Sequence, residues 1–267
     1  MHVGGPEGAG MTKIHPSAIV HEGAMLGVDV EIGPFSVIGP NLKIGDRTKV
    51  MPQVFLDGHT TLGADCIVFP FASIGSQTQD LKFKGGTTYV EIGDHTTLRE
   101  YVTVNSGTAD GEVTRVGSHS LIMAYCHVAH GCQVGNRVIM ANNSALSGDV
   151  LVEDDVVIGG MSGVHQFTRI GTCAMIGGLA KITQDVPPYM LVDGNPSGVH
   201  GINSVKLQRM NVAPETVATV KKAFKILYRD GLSTRQAMER IHAELPKTPE
   251  IERLIKFIET SERGILK

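Results

Sequence analysis

The chain has 267 residues, a formal net charge of −3, no Trp, 5% aromatic residues and 32 Gly. A near-neutral balance gives no support to a nucleic-acid-binding role, which calls for a basic surface, and the shortage of rings disfavours an ordinary globular core. No apolar stretch approaches the roughly 20 residues of a membrane span and no charged-then-apolar leader is read at the start, so a cytoplasmic protein is expected.

The first ten residues, MHVGGPEGAG, read as a flexible extension, and Met11 would serve as a native start. A six-residue clock then begins at Ile14 and runs through Val20, Leu26, Ile32, Ile38 and Ile44 as far as Ile182. Only Asp80, Gly86 and Asp110 break it; every other position in this register is aliphatic or Met. Many of the residues that follow are Gly, such as Gly27, Gly33 and Gly135. Four residues after nearly every one of these aliphatics sits something small or β-branched, among them Ser36, Thr48, Cys66, Cys126 and Cys132. A helix cannot use this period, because residues six apart lie about 240° apart around its axis. A parallel β-helix can: each hexad supplies a strand and a turn, and three hexads close a coil. Coils would stack about 4.8 Å apart, with Gly expected to relieve turns of positive φ.

The three breaks mark departures from the coil. SQTQDLKFKGGTTY is polar and reads as a loop over 76–90, and SGTADGEVT as a shorter one over 106–114. Long loops on rigid scaffolds tend to carry function. The paired prolines of DVPPY are expected to end the coil, giving a β-helix over 11–190 and an α-helical domain over 191–267, with helices from about 198 to 263. Pro214 suits a first helical turn, Gly231 a stop, Ser233 with Gln236 a capping box, and Thr248-Pro249 the opening of a last helix.

The segment AYCHVAHGCQVGN packs two His and two Cys together. The register turns Cys126 and Cys132 inward, where a free Cys serves as a small hydrophobe; zinc ligation or a disulfide is the alternative, and the spacing fits no CxxC element. His127 and His130 fall on outward positions. They are either plain surface histidines or, being two on one coil, an acid/base site working near the ordinary imidazole pKa of about 6.5.

In order along the chain, HPSAIVHEGAMLG, IGPFSVIGP, FASIGSQTQDLKF, HVAHGCQVGN, IGGMSGVHQF and QDVPPYMLVDGN resemble segments of the UDP-N-acetylglucosamine acyltransferase family, hexapeptide-repeat enzymes of lipid A synthesis. The likeness runs from Ile14 to the C-terminus. It implies a mostly β fold, a left-handed parallel β-helix with a C-terminal α-helical domain, assembled as a homotrimer with active sites in clefts between subunits. It also implies acyl carrier protein as donor partner, with the acyl chain on the carrier's phosphopantetheine. UDP-N-acetylglucosamine is the implied acceptor, with no cofactor and no metal. His130 matches the general base, and the backbone N–H of Gly148 matches the oxyanion donor. His127, Gln79, Asp80 and Lys82 match positions that hold the sugar and phosphates. His165 and Gln166 match the acyl and nucleotide path, Asn203 and Arg209 the nucleotide site, and Gly178 the acyl-chain ruler. A Gly there implies a long 3-hydroxyacyl chain rather than a short one. Arg169 and Lys181 are candidates for docking the acidic carrier. The chain departs from the family pattern at Gly131, Asp149, Val205 and Met210. The family often carries an acidic residue where Gly131 stands, so the orientation of His130 must come from elsewhere, and the acceptor atom, 3-hydroxyl or 3-amine, stays open. Three rivals remain at this stage: another hexapeptide acyltransferase, a zinc enzyme using His127, His130 and a neighbour's His165, and a non-catalytic prism.

Overall fold

A computed structural model of the chain describes residues 11–267, so the expected flexible extension over 1–10 lies outside the described residues. The chain divides into two compact units, one ending at Cys132 and one beginning at Gln133.

In the first unit the hexads become two-residue strands, such as Glu31–Ile32, Val37–Ile38 and Lys43–Ile44. Each pairs in parallel with the strand one coil further on: Ile32 with Val50, Ile38 with Leu56, Leu26 with Ile44. Neighbouring strand residues point to opposite faces, so from Glu31–Ile32 onward the second residue of each pair is buried while the first faces outward. Ile32, Ile38, Ile44, Val50, Leu56 and Val68 are at most 3% exposed.

The small residues at the corners do more than fill space. Ser36 Oγ donates to Met51 O at 2.8 Å and accepts from Val54 N at 3.2 Å. Thr48 Oγ1 likewise donates to Gly63 O at 2.8 Å and accepts from Cys66 N at 3.0 Å. Each hydroxyl thus ties one coil to the next while satisfying its own buried polar atom.

The expected reason for the glycines is corrected. The turns do need positive φ, but residues such as Arg47, Gln53, Asp65, Phe71 and Tyr101 supply it, at φ between 56° and 66°. Left-handed backbone costs a non-Gly residue about 1–2 kcal/mol, and main-chain bonds between coils offset it, as from Arg47 N to Val28 O at 2.8 Å. The hexad glycines answer a different constraint. A Cβ on Gly45 would stand 2.5 Å from Gly63 C and 2.6 Å from Ala64 N; the next coil's backbone leaves no room for it.

The polar excursions occupy 77–88, between strands Ser73–Ser76 and Tyr89–Ile92, and 106–112, between Thr103–Asn105 and Val113–Val116. They brace each other. Thr78 Oγ1 meets Thr108 Oγ1 at 3.1 Å, Gly111 N donates to Thr87 O at 2.8 Å, and Thr87 N donates to Asp110 Oδ1 at 2.7 Å. Asn105, 5% exposed, donates from Nδ2 to Ser76 O and Gln77 O at 3.4 and 3.3 Å.

The second unit repeats the pattern, with Val134 paired to Val152, Leu146 to Val164 and Ile158 to Ile176. Pro187 and Pro188 do not end the coil. Val186 still bridges Ile170 and Val192 still pairs with Ile176 in parallel, but now 16 residues on (192 − 176) instead of 18 (176 − 158). The segment expected to start the helical domain is first an antiparallel pair, Met190–Gly194 with Ser197–Ile202. Helices follow: α1 Ser204–Arg209, α2 Pro214–Tyr228, α3 Thr234–Glu244 and α4 Pro249–Glu259. Their starts follow the sequence signals, with Pro214 and Pro249 in first turns and a full capping box between Ser233 and Gln236. α4 buries Ile251, Leu254, Phe257 and Ile258, a 3–4 spacing on one face. The chain end returns to the coil at Asp185, whose carboxylate, 1% exposed as a residue, accepts from Arg169 N at 2.8 Å and Ser261 Oγ at 2.7 Å.

Candidate active site

Register decides which way the side chains of AYCHVAHGCQVGN point. Cys126 and Cys132 are fully buried and form no disulfide. His127 opens the strand His127–Val128, beside Thr103 on the adjacent coil. Because Val128 points inward, His127 points out, half-buried, and its Nδ1 meets Thr103 Oγ1 at 2.7 Å. Burial, then the neighbouring charge of His130, lowers the His127 pKa below 6.5, which keeps the ring neutral near pH 7 as a hydrogen-bonding group.

His130 follows the nearly buried Ala129 and is 16% exposed at its side chain. Its Nε2 lies 3.7 Å from Asp80 Oδ2. The first polar loop brings that carboxylate in by a local turn: Asp80 N donates to Thr78 Oγ1 at 3.1 Å, and Asp80 Oδ1 accepts from Lys82 N at 2.9 Å. One oxygen holds the turn and the other faces the imidazole. Gln79 and Lys82 stand on the same loop with exposed side chains. Gly131 has φ +67° and donates its N–H to Thr114 Oγ1 at 3.0 Å, so the residue after the histidine is a turn residue.

In the second unit, Gly148 is buried and its carbonyl accepts from Phe167 N at 3.1 Å. His165 is exposed, its Nδ1 is 3.0 Å from Gln166 O, and Gln166 is half-buried. Gly178 is exposed, next to the exposed Leu179, and its added Cβ would touch only Gly160, with O at 3.3 Å and N at 3.9 Å. Asn203 caps α1. Its Oδ1 accepts from Lys206 N at 3.2 Å and its Nδ2 donates to Cys173 O at 2.9 Å, so both ends of the amide hold the helix in place. Arg209, in the last turn of α1, lines a cavity of about 500 Å³ whose floor is the outward row Ile139, Val157, Met175 and Leu191. Arg169 is engaged within its own unit, donating to Thr260 O at 2.9 Å and stacking over Phe257 at 4.3 Å, whereas Lys181 is exposed.

Sequence reasoning missed several supports. Thr103 was findable, since it lies one coil before His127 in the same register. Lys206 was not singled out, yet it reaches Asp155 at 3.0 Å, and Asp155 also pairs with Arg137 at 2.8 Å. Burial alone would raise the Asp155 pKa, but Arg137 and Lys206 outweigh it and hold the carboxyl low. Of the departures, Met210 places Sδ 3.3 Å from Cys173 Sγ, while Val205 is exposed at the cavity rim.

Comparison with known proteins gives consistent matches. Residues 185–266 match the family model for UDP-N-acetylglucosamine O-acyltransferase, domain 2, and residues 114–148 match the bacterial transferase hexapeptide model. An acyl-[acyl-carrier-protein]–UDP-N-acetylglucosamine O-acyltransferase from Thermodesulfovibrio yellowstonii is 46% identical over 96% of this chain and 99% of that protein. Among solved structures, LpxA from Acinetobacter baumannii superposes with a TM-score of 0.92 at 41% identity, covering 95% of this chain and 99% of the other. LpxA from Bacteroides fragilis, a UDP-N-acetylglucosamine acyltransferase, gives 0.93 at 39% identity, with 95% and 100% covered. The fold is that of these neighbours, mostly β, a left-handed parallel β-helix with C-terminal helices. Among the described residues no helix is long and apolar enough to cross a membrane.

Proposed function

Since this chain belongs to the acyl-[acyl-carrier-protein]–UDP-N-acetylglucosamine O-acyltransferase family, we propose that it moves a 3-hydroxyacyl chain from acyl carrier protein to the 3-position of UDP-N-acetylglucosamine, the first step of lipid A biosynthesis, as a cytoplasmic homotrimer. The observation that carries the mechanism is the 3.7 Å between His130 Nε2 and Asp80 Oδ2. Asp80 is the residue that, by likeness to the family, grips the sugar. A sugar held on that carboxylate has its hydroxyls beside a half-buried imidazole. His130 then takes the proton of the 3-hydroxyl as its oxygen attacks the thioester carbonyl. The backbone N–H of Gly148 is assigned to the tetrahedral oxyanion. Collapse breaks the C–S bond, and the imidazolium returns its proton to the phosphopantetheine sulfur. His127, neutral and fixed by Thr103, orients the sugar; Gln79 and Lys82 reach toward sugar and phosphates, with His165 and Gln166 along the acyl and nucleotide path.

The cavity under α1 is the proposed nucleotide site, with an apolar floor for the base and Arg209 for the diphosphate. Asn203 serves it by capping the helix. The chemistry calls for no metal or cofactor of the enzyme's own, because the thioester is already activated on the carrier.

The test is transfer from a panel of 3-hydroxyacyl carrier proteins to UDP-N-acetylglucosamine and to its 3-amino analogue. His130→Ala is expected to keep assembly and melting temperature and to lose transfer by about 100-fold or more. Turnover comparable to the parent enzyme would defeat the assignment.

A further inference from the structure

A second carboxylate stands near the candidate base, on the loop over 106–112. Glu112 is half-buried, and its Oε2 accepts from the backbone N–H groups of Thr108 and Ala109, the latter at 3.1 Å. These bonds fold the side chain back over its own turn. That turn is itself braced against the first loop through Thr78–Thr108 and Thr87–Asp110. A carboxylate oxygen of Glu112 lies within 4.8 Å of a ring nitrogen of His130. Titratable groups of the first unit near His130 include Asp80, Glu112 and His127. The residue directly after His130, Gly131, offers no charge.

We infer that Glu112 is a positioning residue for His130: a carboxylate fixed by its own loop that stabilises the imidazolium formed when His130 takes the acceptor's proton. The inference rests on His130 being the base. Glu112 neither gains nor loses a proton in this scheme; the proton moves from the acceptor hydroxyl to the imidazole and on to the leaving sulfur. Asp80 is assigned to the sugar once substrate binds, and Glu112 is a further fixed carboxylate within reach of the ring. Its backbone bonds hold it in place before the reaction, so no reorganisation is needed as the positive charge develops. Such a charge acts on the transition state and not on the bound sugar, which places the effect in kcat.

Glu112→Gln tests this, because the amide oxygen keeps an acceptor for Thr108 and Ala109 N–H and removes only the charge. The expected result is a loss of about 10- to 100-fold in kcat, with KM for UDP-N-acetylglucosamine within about twofold and the melting temperature unchanged. In a His130→Ala background the same substitution should cause no further loss. A parental kcat, a change confined to KM, or equal losses in both backgrounds would overturn the role of Glu112. Full turnover by His130→Ala alone would overturn the base assignment, and this inference with it, by a distinct result.

Discussion

Gly178→Met asks whether the ledge at Gly178 measures the acyl chain. The backbone at Gly178 is not in a positive-φ conformation, so a side chain brings no Ramachandran strain. Its Cβ would meet Gly160 O at 3.3 Å and little else, which a small local shift relieves. The protein should therefore fold and melt within about 0.5 kcal/mol of the parent, as surface substitutions usually do. The added chain would lie outward beside Leu179 and Met161, which are 68% and 64% exposed in the single chain. If the acyl tail runs along that ledge, a methionine of about four heavy atoms beyond Cα displaces about four methylenes. At about 0.8 kcal/mol for each CH₂ contact, the longest donor loses about 3 kcal/mol relative to one about four carbons shorter. That corresponds to a swing of about 100- to 200-fold in relative kcat/KM.

The assay is competition between two 3-hydroxyacyl carrier proteins of those lengths in one reaction, with products resolved by mass. Competition reads the ratio of kcat/KM directly and is insensitive to the active fraction of enzyme. An unchanged product ratio from a variant that melts like the parent would show that the tail does not pass Gly178.

Three further outcomes follow from other contacts. Gly45→Ala should destabilise by about 1–3 kcal/mol in denaturant melts, since its Cβ meets the backbone of Gly63 and Ala64 below 3 Å; Gly163→Ala, whose Cβ meets nothing within 4 Å, should be nearly neutral. Lys206→Met removes one of the two cations from Asp155, 4% exposed as a residue, and should cost about 1–3 kcal/mol in thermal or denaturant melts while raising KM for the nucleotide sugar more than it lowers kcat. Because burial lowers the His127 pKa below its unfolded value of 6.5, the unfolded chain takes up this proton first as pH falls. Stability should then rise with pH up to about 6.5 and level off above it, and His127→Gln should flatten part of that slope in denaturant titrations between about pH 5 and 8.

How much of this was legible in the sequence differs between core and site. The inward and outward choice at His127, His130, Cys126 and Cys132 follows from register alone, because one residue of slip would reverse every side chain. The corner hydroxyls of Ser36 and Thr48 look like filler in a sequence, since their bonds go to the backbone of another coil. The place of Asp80 beside His130 and of Glu112 near it is set by loops that leave the lattice, so no periodicity carries it. Asn203 shows the converse: a residue matched to a ligand-binding position whose amide is taken up by capping its own helix.

The lattice also explains which errors it produced. Across the first loop, paired residues are 30 apart (Ile67 with Thr97), which exceeds the regular 18 (Ile67 with Lys49) by 12. Across the second they are 24 apart (Thr97 with Leu121), an excess of 6. Both insertions are multiples of the hexad. The clock therefore keeps its phase through both loops and misses three beats in all, at Asp80, Gly86 and Asp110. Between Ile182 and Val186, just before the paired prolines, the change is a loss of two residues, which no multiple of six absorbs. Val186 and Val192 consequently fall off the beat although both are fully buried and both continue the ladder. A periodic reading detects the coil only while insertions respect its period, so the loops that build the site were found and the last turn of the coil, which leads into the pair carrying α1 and Arg209, was read as an end.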